Sequence, residues 1–293
     1  RSTLFPYTTL FRSRDRTASR EAFVEKQQHK FVKAIESLGL KSAAEENAKR
    51  ENANVDGDGP MGTMLHFGST VSKEFAKAYL MDNKYARAHD EGAIHIHDLD
   101  FWAMGTTTCT QIDLDKLFKT GFSTGHGYLR TPNSITSYSA LAAIAIQSNQ
   151  NEQHGGQSIP AFDYYMAPGV LKTFKKEFKQ ELAELLDFEG FSEFISFDKI
   201  VDIIDKLNSI EFDFSIFDQF SSKSKKVDEI IKTGYENAIN KTDRQTFQAM
   251  EAFIHNLNTM HSRAGAQVPF SSVNFGTDTS PEGRMVIKNY LHL

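Results

Sequence analysis

The stretch His95-Ile-His-Asp-Leu-Asp-Phe-Trp-Ala-Met-Gly-Thr-Thr-Thr-Cys-Thr-Gln-Ile-Asp-Leu-Asp115 holds the residues on which the fold and chemistry of this chain depend. Ala93 to His97 alternates apolar and polar residues, a period that predicts a short strand with both imidazoles on one face. Two histidines beside a carboxylate are too few ligands to define a metal site, so none is predicted. His95 and His97 are candidate catalytic residues, and hydrogen-bonded structural histidines are the alternative.

The same stretch contains the only cysteine of the 293 residues, Cys109. A single thiol excludes an intrachain disulfide framework and a Cys-rich zinc site within these residues. Threonines flank it, and the hydroxyls of Thr107 and Thr108 could hold a ribose or a phosphate beside a redox group. Cys109 is therefore a candidate catalytic residue, with a small buried hydrophobic residue as the alternative.

A second informative stretch begins downstream. Ser134 to Gln150 predicts a helix of mostly small residues, which should be packed on more than one side. Ser148 to Ser158 is rich in amides and glycines and predicts a loop where the backbone approaches a ligand and amides contact a polar base. The candidate substrate-binding residues of this stretch are Asn149, Gln153, His154, Gly155 and Gly156.

Long amphipathic helices are predicted between residues 170 and 262, with Thr242 and Gln245 as a capping box. Gln267 to Phe275 predicts a further strand, and Ser280 followed by Pro281 predicts a helix start. Strands separated by long helices predict an α/β fold.

The N-terminal region divides into two parts before the main domain. Residues 1–13 repeat Thr-Leu-Phe and are expected to be non-native sequence, whereas residues 14–50 predict a helical lead-in. The turn-rich Asn52 to Pro60 marks a boundary. Residues 51–293 are expected to be a partial domain truncated at its C-terminus, because the chain ends within a helical pattern.

The charge and the apolar content of the sequence limit the classes of partner that the protein can bind. With 33 Lys and Arg against 38 Asp and Glu, the net charge of −5 provides no basic field for a phosphate backbone, so nucleic acid is not an expected partner. Nucleotides remain possible because a pocket needs only local donors. No apolar run approaches the roughly 20 residues that span a bilayer, so we expect a cytoplasmic protein with no membrane contact.

Three long stretches together resemble the anaerobic (class III) ribonucleoside-triphosphate reductases: residues 95–115, 142–165 and 261–276. The resemblance covers residues 50–293 in order. It implies the first half of the ten-stranded α/β barrel of ribonucleotide reductases and glycyl-radical enzymes, with long helices. By its place in the Thr-Thr-Thr-Cys motif, Cys109 resembles the second cysteine of that family, which lies on the first barrel strand below the ribose.

The resemblance also implies a radical mechanism and its partners. A radical-SAM activating enzyme makes a glycyl radical, which converts a finger-loop cysteine to a thiyl. The thiyl takes the ribose 3′ hydrogen, the 2′ hydroxyl leaves as water, and formate or a thiol system supplies electrons. The thiyl cysteine, the glycyl residue and a four-cysteine zinc site are expected beyond Leu293, so the chain alone should be inactive.

Regulation is expected at the helix of small residues. The resemblance implies a homodimer that binds ATP and deoxynucleoside-triphosphate effectors between its subunits. We predict that Ala142 and Ala145 face that interface. An ATP-binding regulatory module is not recognisable in residues 14–50. Two alternatives remain open: another glycyl-radical enzyme of the formate-lyase type, and a non-catalytic nucleotide-binding or dimerisation module.

Overall fold

The computed structural model describes residues 25–26, 28–33, 36, 60–191, 195–221, 225–262 and 268–293. The segment 1–13 that we expected to be non-native lies outside these residues. So does most of the predicted lead-in, of which the described positions are helical. Within the described part of the chain, no helix is long and apolar enough to cross a membrane.

The described residues form two compact units, one ending at Thr107 and the other made of Thr108–Ser262 and Val268–Leu293. The first unit contains α1 (Pro60–Phe75), which continues into a π-helical turn, Ala76–Leu80. It also contains α2 (Asn83–Asp90) and a 3-10 turn, Leu99–Phe101. A small apolar core holds this unit together, made of Ala76, Met81, Ala86 and Leu99 with Ile96 packed against it.

The strand predicted at residues 93–97 is wrong, because this segment contains bends, a turn and residues without regular structure. Its backbone donors bond to the end of α2 instead of to a neighbouring strand. The amide of Ile94 donates to the carbonyl of Ala88 at 3.1 Å, and the amide of Ile96 donates to Nδ1 of His89 at 3.2 Å. Five residues that alternate between apolar and polar do not form a β-strand unless a partner strand accepts and donates their backbone hydrogen bonds.

The second unit is mostly helical. Its longest helices confirm the predicted helical region between residues 170 and 262. The helices are α3 (Leu114–Thr120), α4 (Ile135–Asn149), α5 (Phe162–Phe188), α6 (Phe197–Lys206), α7 (Asp218–Ser221), α8 (Lys225–Thr259) and α9 (Pro281–Leu291), with a 3-10 turn at Phe214–Phe217.

Two small sheets accompany these helices. In the three-stranded sheet, β4 (Gln153–Ile159) lies between β1 (Thr107–Gln111) and β5 (Ser271–Val273). β4 and β5 are parallel, with Gln157 opposite Ser271. A short antiparallel pair joins β2 (Phe122–Ser123) to β3 (Tyr128–Leu129). The mixed α/β class is therefore confirmed, and the ten-stranded barrel stays a prediction.

Packing around α4 confirms that its small residues let neighbours approach from more than one side. The hydroxyl of Ser139 donates to the carbonyl of Ala249 on α8 at 2.6 Å. On α5, a Cβ added to Gly169 would lie 2.9 Å from the ring of Tyr138. The helix begins where predicted, because Ser134 caps it with a capping box to Ser137.

The other local predictions had mixed outcomes. The capping box at Thr242 is wrong, because Thr242 lies inside α8 and its hydroxyl donates to the carbonyl of Ala238 at 2.7 Å. The helix start at Ser280 is confirmed, since its hydroxyl accepts from the amide of Gly283 at 3.0 Å and Pro281 follows. The strand predicted from Gln267 is shorter than expected, and Gln267 itself lies outside the described residues.

Candidate active site

Cys109 lies in the middle of β1 with its side chain exposed, so the alternative of a small buried hydrophobic residue is wrong. Its backbone has φ 53°, in the left-handed region that a residue with a Cβ rarely adopts. Holding such a conformation costs roughly 1–2 kcal/mol, which surrounding structure must offset. Thr107 and Thr108, the predicted substrate contacts before it, are exposed on the same strand.

The amide-rich stretch predicted as a loop is largely strand β4, and this corrects the prediction. β1 and β5 flank it on both sides, so pairing with these strands prevails over the local preference of glycine and amide residues for loops. Gly155 of β4 lies next to the cysteine: an added Cβ would be 3.6 Å from both the amide nitrogen and Sγ of Cys109. His154 and Gly156, on either side of Gly155, are half-buried.

A hydrogen-bonded chain of side chains joins β1, α4 and β4, beginning at the residue after Cys109. We call it the amide network, and its members are Thr110, Asn149, Gln153 and Gln157. The side-chain nitrogen Nδ2 of Asn149 donates to the hydroxyl of Thr110 at 2.9 Å. That hydroxyl donates in turn to Oε1 of Gln153 at 2.8 Å. Nε2 of Gln153 then donates to the carbonyl of Gly155 at 3.2 Å. The chain therefore ends on the glycine that faces Cys109.

A second branch of the amide network joins β4 to α4. The amide nitrogen of Asn149 also donates to Oε1 of Gln157 at 2.8 Å, and Nε2 of Gln157 donates to the carbonyl of Ile146 at 3.0 Å. Both hydrogens of the Asn149 amide are thus engaged. Since each amide has one carbonyl and one NH2 group, these partners fix which way each side chain faces.

His95 and His97 lie in the first unit, within the segment 93–97. Their ring centroids are 5.7 Å apart, and Nε2 of His97 lies 3.4 Å from Oδ1 of Asp98. The ring of His89 lies 5.8 Å from that of His95. Despite this clustering, the described part of the chain has no group of three or more His, Cys, Asp or Glu side chains that could hold a metal ion.

Sequence reasoning missed Asp163, a fully buried carboxylate at the start of α5. Its Oδ2 accepts from the amide of Gly276 at 2.7 Å and from the amide of Asp278 at 3.0 Å. It therefore fixes the segment that follows β5. An aspartate in the first turn of a helix is ordinarily interpreted as a partner of the helix dipole, and its bonds to residues more than a hundred positions away leave no local signal.

A groove of about 570 Å³ on α5 was also missed, because a helical run of lysines is typical of a solvated face. We call it the lysine groove; its cations are Lys172, Lys175, Lys176 and Lys179, with Asn133 and Asp205 also lining it. Lys172 donates to the carbonyl of Pro132, just before α4, at 3.0 Å. Burial lowers the pKa of Lys175 below its ordinary value, against the raising effect of Asp205.

The comparisons with known proteins agree with the motif around Cys109. A family model described as anaerobic ribonucleoside-triphosphate reductase matches residues 51–293. The chain belongs to this family. The match includes β1, β4, β5 and the seven helices described in the second unit.

Curated anaerobic ribonucleoside-triphosphate reductases are similar over most of the chain. The reductase of Enterobacteria phage T4 is 26% identical over 254 residues, which cover 86% of this chain and 34% of that protein. The reductase of Escherichia coli strain K12 is 25% identical over 258 residues, which cover 87% of this chain and 30% of that protein. The chain therefore spans about a third of the length of these reductases.

Proposed function

We propose that the full-length protein converts ribonucleoside triphosphates to deoxyribonucleoside triphosphates by radical chemistry, and that this chain supplies one cysteine of its active site. The observation that carries the proposal is the exposed thiol of Cys109, in a left-handed conformation beside Gly155 in a chain of this family. The family match supports a reductase over a glycyl-radical enzyme of the formate-lyase type.

The side chains near the thiol have separate roles in this proposal. Cys109 donates the hydrogen atom that replaces the ribose 2′ hydroxyl, because an S–H bond is weak enough to break in that step whereas an O–H bond is not. The exposed hydroxyls of Thr107 and Thr108 hold the nucleotide, together with His154 and the backbone at Gly155 and Gly156. The strand position and the half-burial of these groups support this assignment. His95 and His97 remain proposed catalytic residues.

Other chemistry belongs to parts of the full-length protein outside this chain. A glycyl radical, made by a radical-SAM activase, would supply the oxidising equivalent. With formate as reductant, the overall change consumes formate and a proton and releases water and carbon dioxide. Cys109 is the only cysteine of the sequence, and the described residues gather no metal-binding cluster, so a cysteine zinc site would require residues from elsewhere.

Replacing Cys109 in the full-length enzyme tests the proposal. Cys109→Ser should leave folding and the glycyl-radical signal near normal while abolishing deoxynucleotide product. Electron paramagnetic resonance counts the radical, and chromatography measures product. Turnover close to that of the wild type would show that Cys109 only packs the strand. The 293-residue chain alone should form no product, even with activase and reductant. If the full-length protein binds nucleotides but does not turn them over, a non-catalytic module is favoured instead.

We further propose that the lysine groove binds the triphosphate of a nucleotide effector. Four lysines against one aspartate, which pairs with Lys179, leave a net positive charge of the kind that a triphosphate requires. Lys172 donates to the carbonyl of Pro132, three residues before α4. The double substitution Lys172→Gln and Lys176→Gln should weaken deoxyadenosine-triphosphate binding by at least about tenfold, a loss of about 1.4 kcal/mol. Lys232→Gln, on an exposed face of α8, is the control.

The homodimer stays a proposal, but the prediction that Ala142 and Ala145 face its interface is wrong. Ala142 and Ala145 are buried in the core of this chain, at 0% and 5% exposure, so they are not available to a second subunit. On α4, Thr136 and Ala140 are exposed and lie one turn apart. If α4 forms the interface, Ala140→Glu should shift the full-length protein toward monomer in sedimentation, whereas Ala142→Glu should unfold it.

A further inference from the structure

We propose that Thr110 is a positioning residue for Cys109, and that it acts through the amide network. This inference rests on the proposed role of Cys109 as hydrogen donor. Thr110 does not itself contact the reacting atoms. Its hydroxyl joins β1 to β4 one residue after the cysteine, and it thereby holds the thiol in place against Gly155.

The direction of the bonds makes the hydroxyl indispensable. Thr110 accepts from an NH2 group of Asn149 and donates to a carbonyl oxygen of Gln153, so its side chain must be donor and acceptor at once. Only a hydroxyl provides both functions on so short a side chain. Valine has the same shape but would leave a donor and an acceptor unpaired in a half-buried position, whereas serine would keep both bonds.

The two neighbours of Cys109 differ, and this identifies which of them holds the strand. Thr110 is half-buried and bonded on both sides, whereas Thr108 is exposed and its hydroxyl has no hydrogen bond among the described residues. Cys109 lies between them with φ 53°, a conformation that relaxes unless its neighbours hold it. The constraint therefore comes from the C-terminal side, through Thr110.

Turnover in the full-length enzyme is the first test. Hydrogen transfer needs the thiol at a defined distance from the ribose, and an error of about 1 Å can cost about a hundredfold in rate. Thr110→Val should lower kcat between about tenfold and a hundredfold while KM and the glycyl-radical yield stay within about twofold. Thr110→Ser should restore most of kcat. Turnover of Thr110→Val near the wild-type value, or equal losses of kcat and radical, would overturn the proposal.

A second measurement is independent of activity. This measurement uses the 293-residue chain, because further cysteines are expected in the full-length enzyme. Cys109 is the only cysteine of the 293 residues, so a nitroxide label attached to it there reports the motion of this site alone. Thr110→Val should give a faster-moving spectrum than wild type and Thr110→Ser, and Thr108→Val is the matched control on the other side of the cysteine. A spectrum of Thr110→Val identical to wild type would contradict the inference, even if the wild-type enzyme proves inactive and the proposed function fails.

One further variant covers the case in which Thr110→Val does not fold. Asn149→Ala removes the donor to Thr110 and leaves space for water to bond to the hydroxyl. We expect it to fold, to increase label motion and to lower kcat by about tenfold. Label motion and kcat both unchanged from wild type in this variant would contradict a positioning role for the amide network.

Discussion

The second unit has two regions that are held together by different physics. Around α5, α8 and the 3-10 turn at Phe214–Phe217, rings pack against one another in what we call the aromatic cluster: Phe174, Phe178, Phe212, Phe217 and Tyr235. Their centroids are 5.4 to 6.4 Å apart. Around β1 and β4, the amide network holds the chain by directed hydrogen bonds instead.

The difference shows how the two regions contribute to the protein. Apolar packing is non-directional, so the aromatic cluster adds stability and tolerates small shifts of its rings. The amide network adds little net stability per bond, but each bond requires its partner at one distance and angle. The region that holds Cys109 is therefore the one built for position, and substitutions in the two regions should differ in kind.

The largest effect on stability is expected in the aromatic cluster. Phe178 is fully buried among four rings, so Phe178→Ala should lower the free energy of unfolding by about 3–5 kcal/mol. Phe188→Ala is the matched control at the end of the same helix, where the side chain is 86% exposed. Its change should stay within about 0.5 kcal/mol in urea unfolding. Similar losses for both variants would mean that the cluster is not a packed core.

The next effect is expected at Asp163, beside the sheet. Asp163→Asn leaves one neutral carbonyl oxygen to accept from the amides of Gly276 and Asp278, in place of a charged carboxylate oxygen. Loss of a charged acceptor should cost about 2–3 kcal/mol in the free energy of unfolding. Asp202→Asn, at an exposed position in α6, should be neutral. If both variants unfold at the same urea concentration, the buried carboxylate does not hold this segment.

Much of the helical region could be predicted from the sequence, because the signals are local. The caps at Ser134 and Ser280 and the spacing of apolar residues in α5 and α8 depend on neighbours within one or two turns. The motif that predicts Cys109 as a site residue is likewise local, since it is contiguous, and that role stays a prediction. The strand at residues 93–97 was wrong because alternation alone does not provide a partner strand.

The geometry of the site could not be predicted, because it depends on contacts between distant residues. Thr110 bonds to residues 39 and 43 positions away, and nothing near Thr110 signals that. Glycines and amides in β4 favoured a loop, and pairing with β1 and β5 prevailed over that local preference. The lysine groove was missed similarly, since a helical run of lysines is typical of a solvated face.

A pH experiment tests the polar contact that Glu181 of α5 makes with Lys241 and Asn237 of α8. Burial would raise the pKa of Glu181, but hydrogen bonds from Lys241 and Asn237 outweigh it and hold that pKa below its ordinary value. A lowered pKa stabilises the fold above about pH 4.5, and that contribution is lost as the pH falls through the folded-state pKa. Glu181→Gln should therefore be less stable by about 1.5 kcal/mol at pH 7, with the difference shrinking towards pH 3.

The control for this experiment is Glu236→Gln, an exposed-side substitution on α8 that should shift unfolding little at either pH. Equal unfolding of wild type and Glu181→Gln at pH 7 would show that the ion pair contributes nothing to stability. A difference that grows as the pH falls would contradict the lowered pKa. Either result would mean that the contact of Glu181 with Lys241 does not stabilise the fold in the way proposed.

The smallest effect separates two neighbouring glycines on β4. Gly155 has φ +97°, which strains any residue with a Cβ, although an added Cβ would meet the amide nitrogen and Sγ of Cys109 at an ordinary 3.6 Å. Gly155→Ala should therefore lower the free energy of unfolding by about 1 kcal/mol through backbone strain alone. Gly156 has neither a positive φ nor any atom within 4 Å of an added Cβ, so Gly156→Ala should be neutral or slightly stabilising.

Urea unfolding of both variants, together with the alkylation rate of Cys109 in each, distinguishes backbone strain from contact with the cysteine. An equal loss in both variants would mean that β4 disfavours any side chain here, and the positioning of Cys109 would then not depend on the conformation of Gly155.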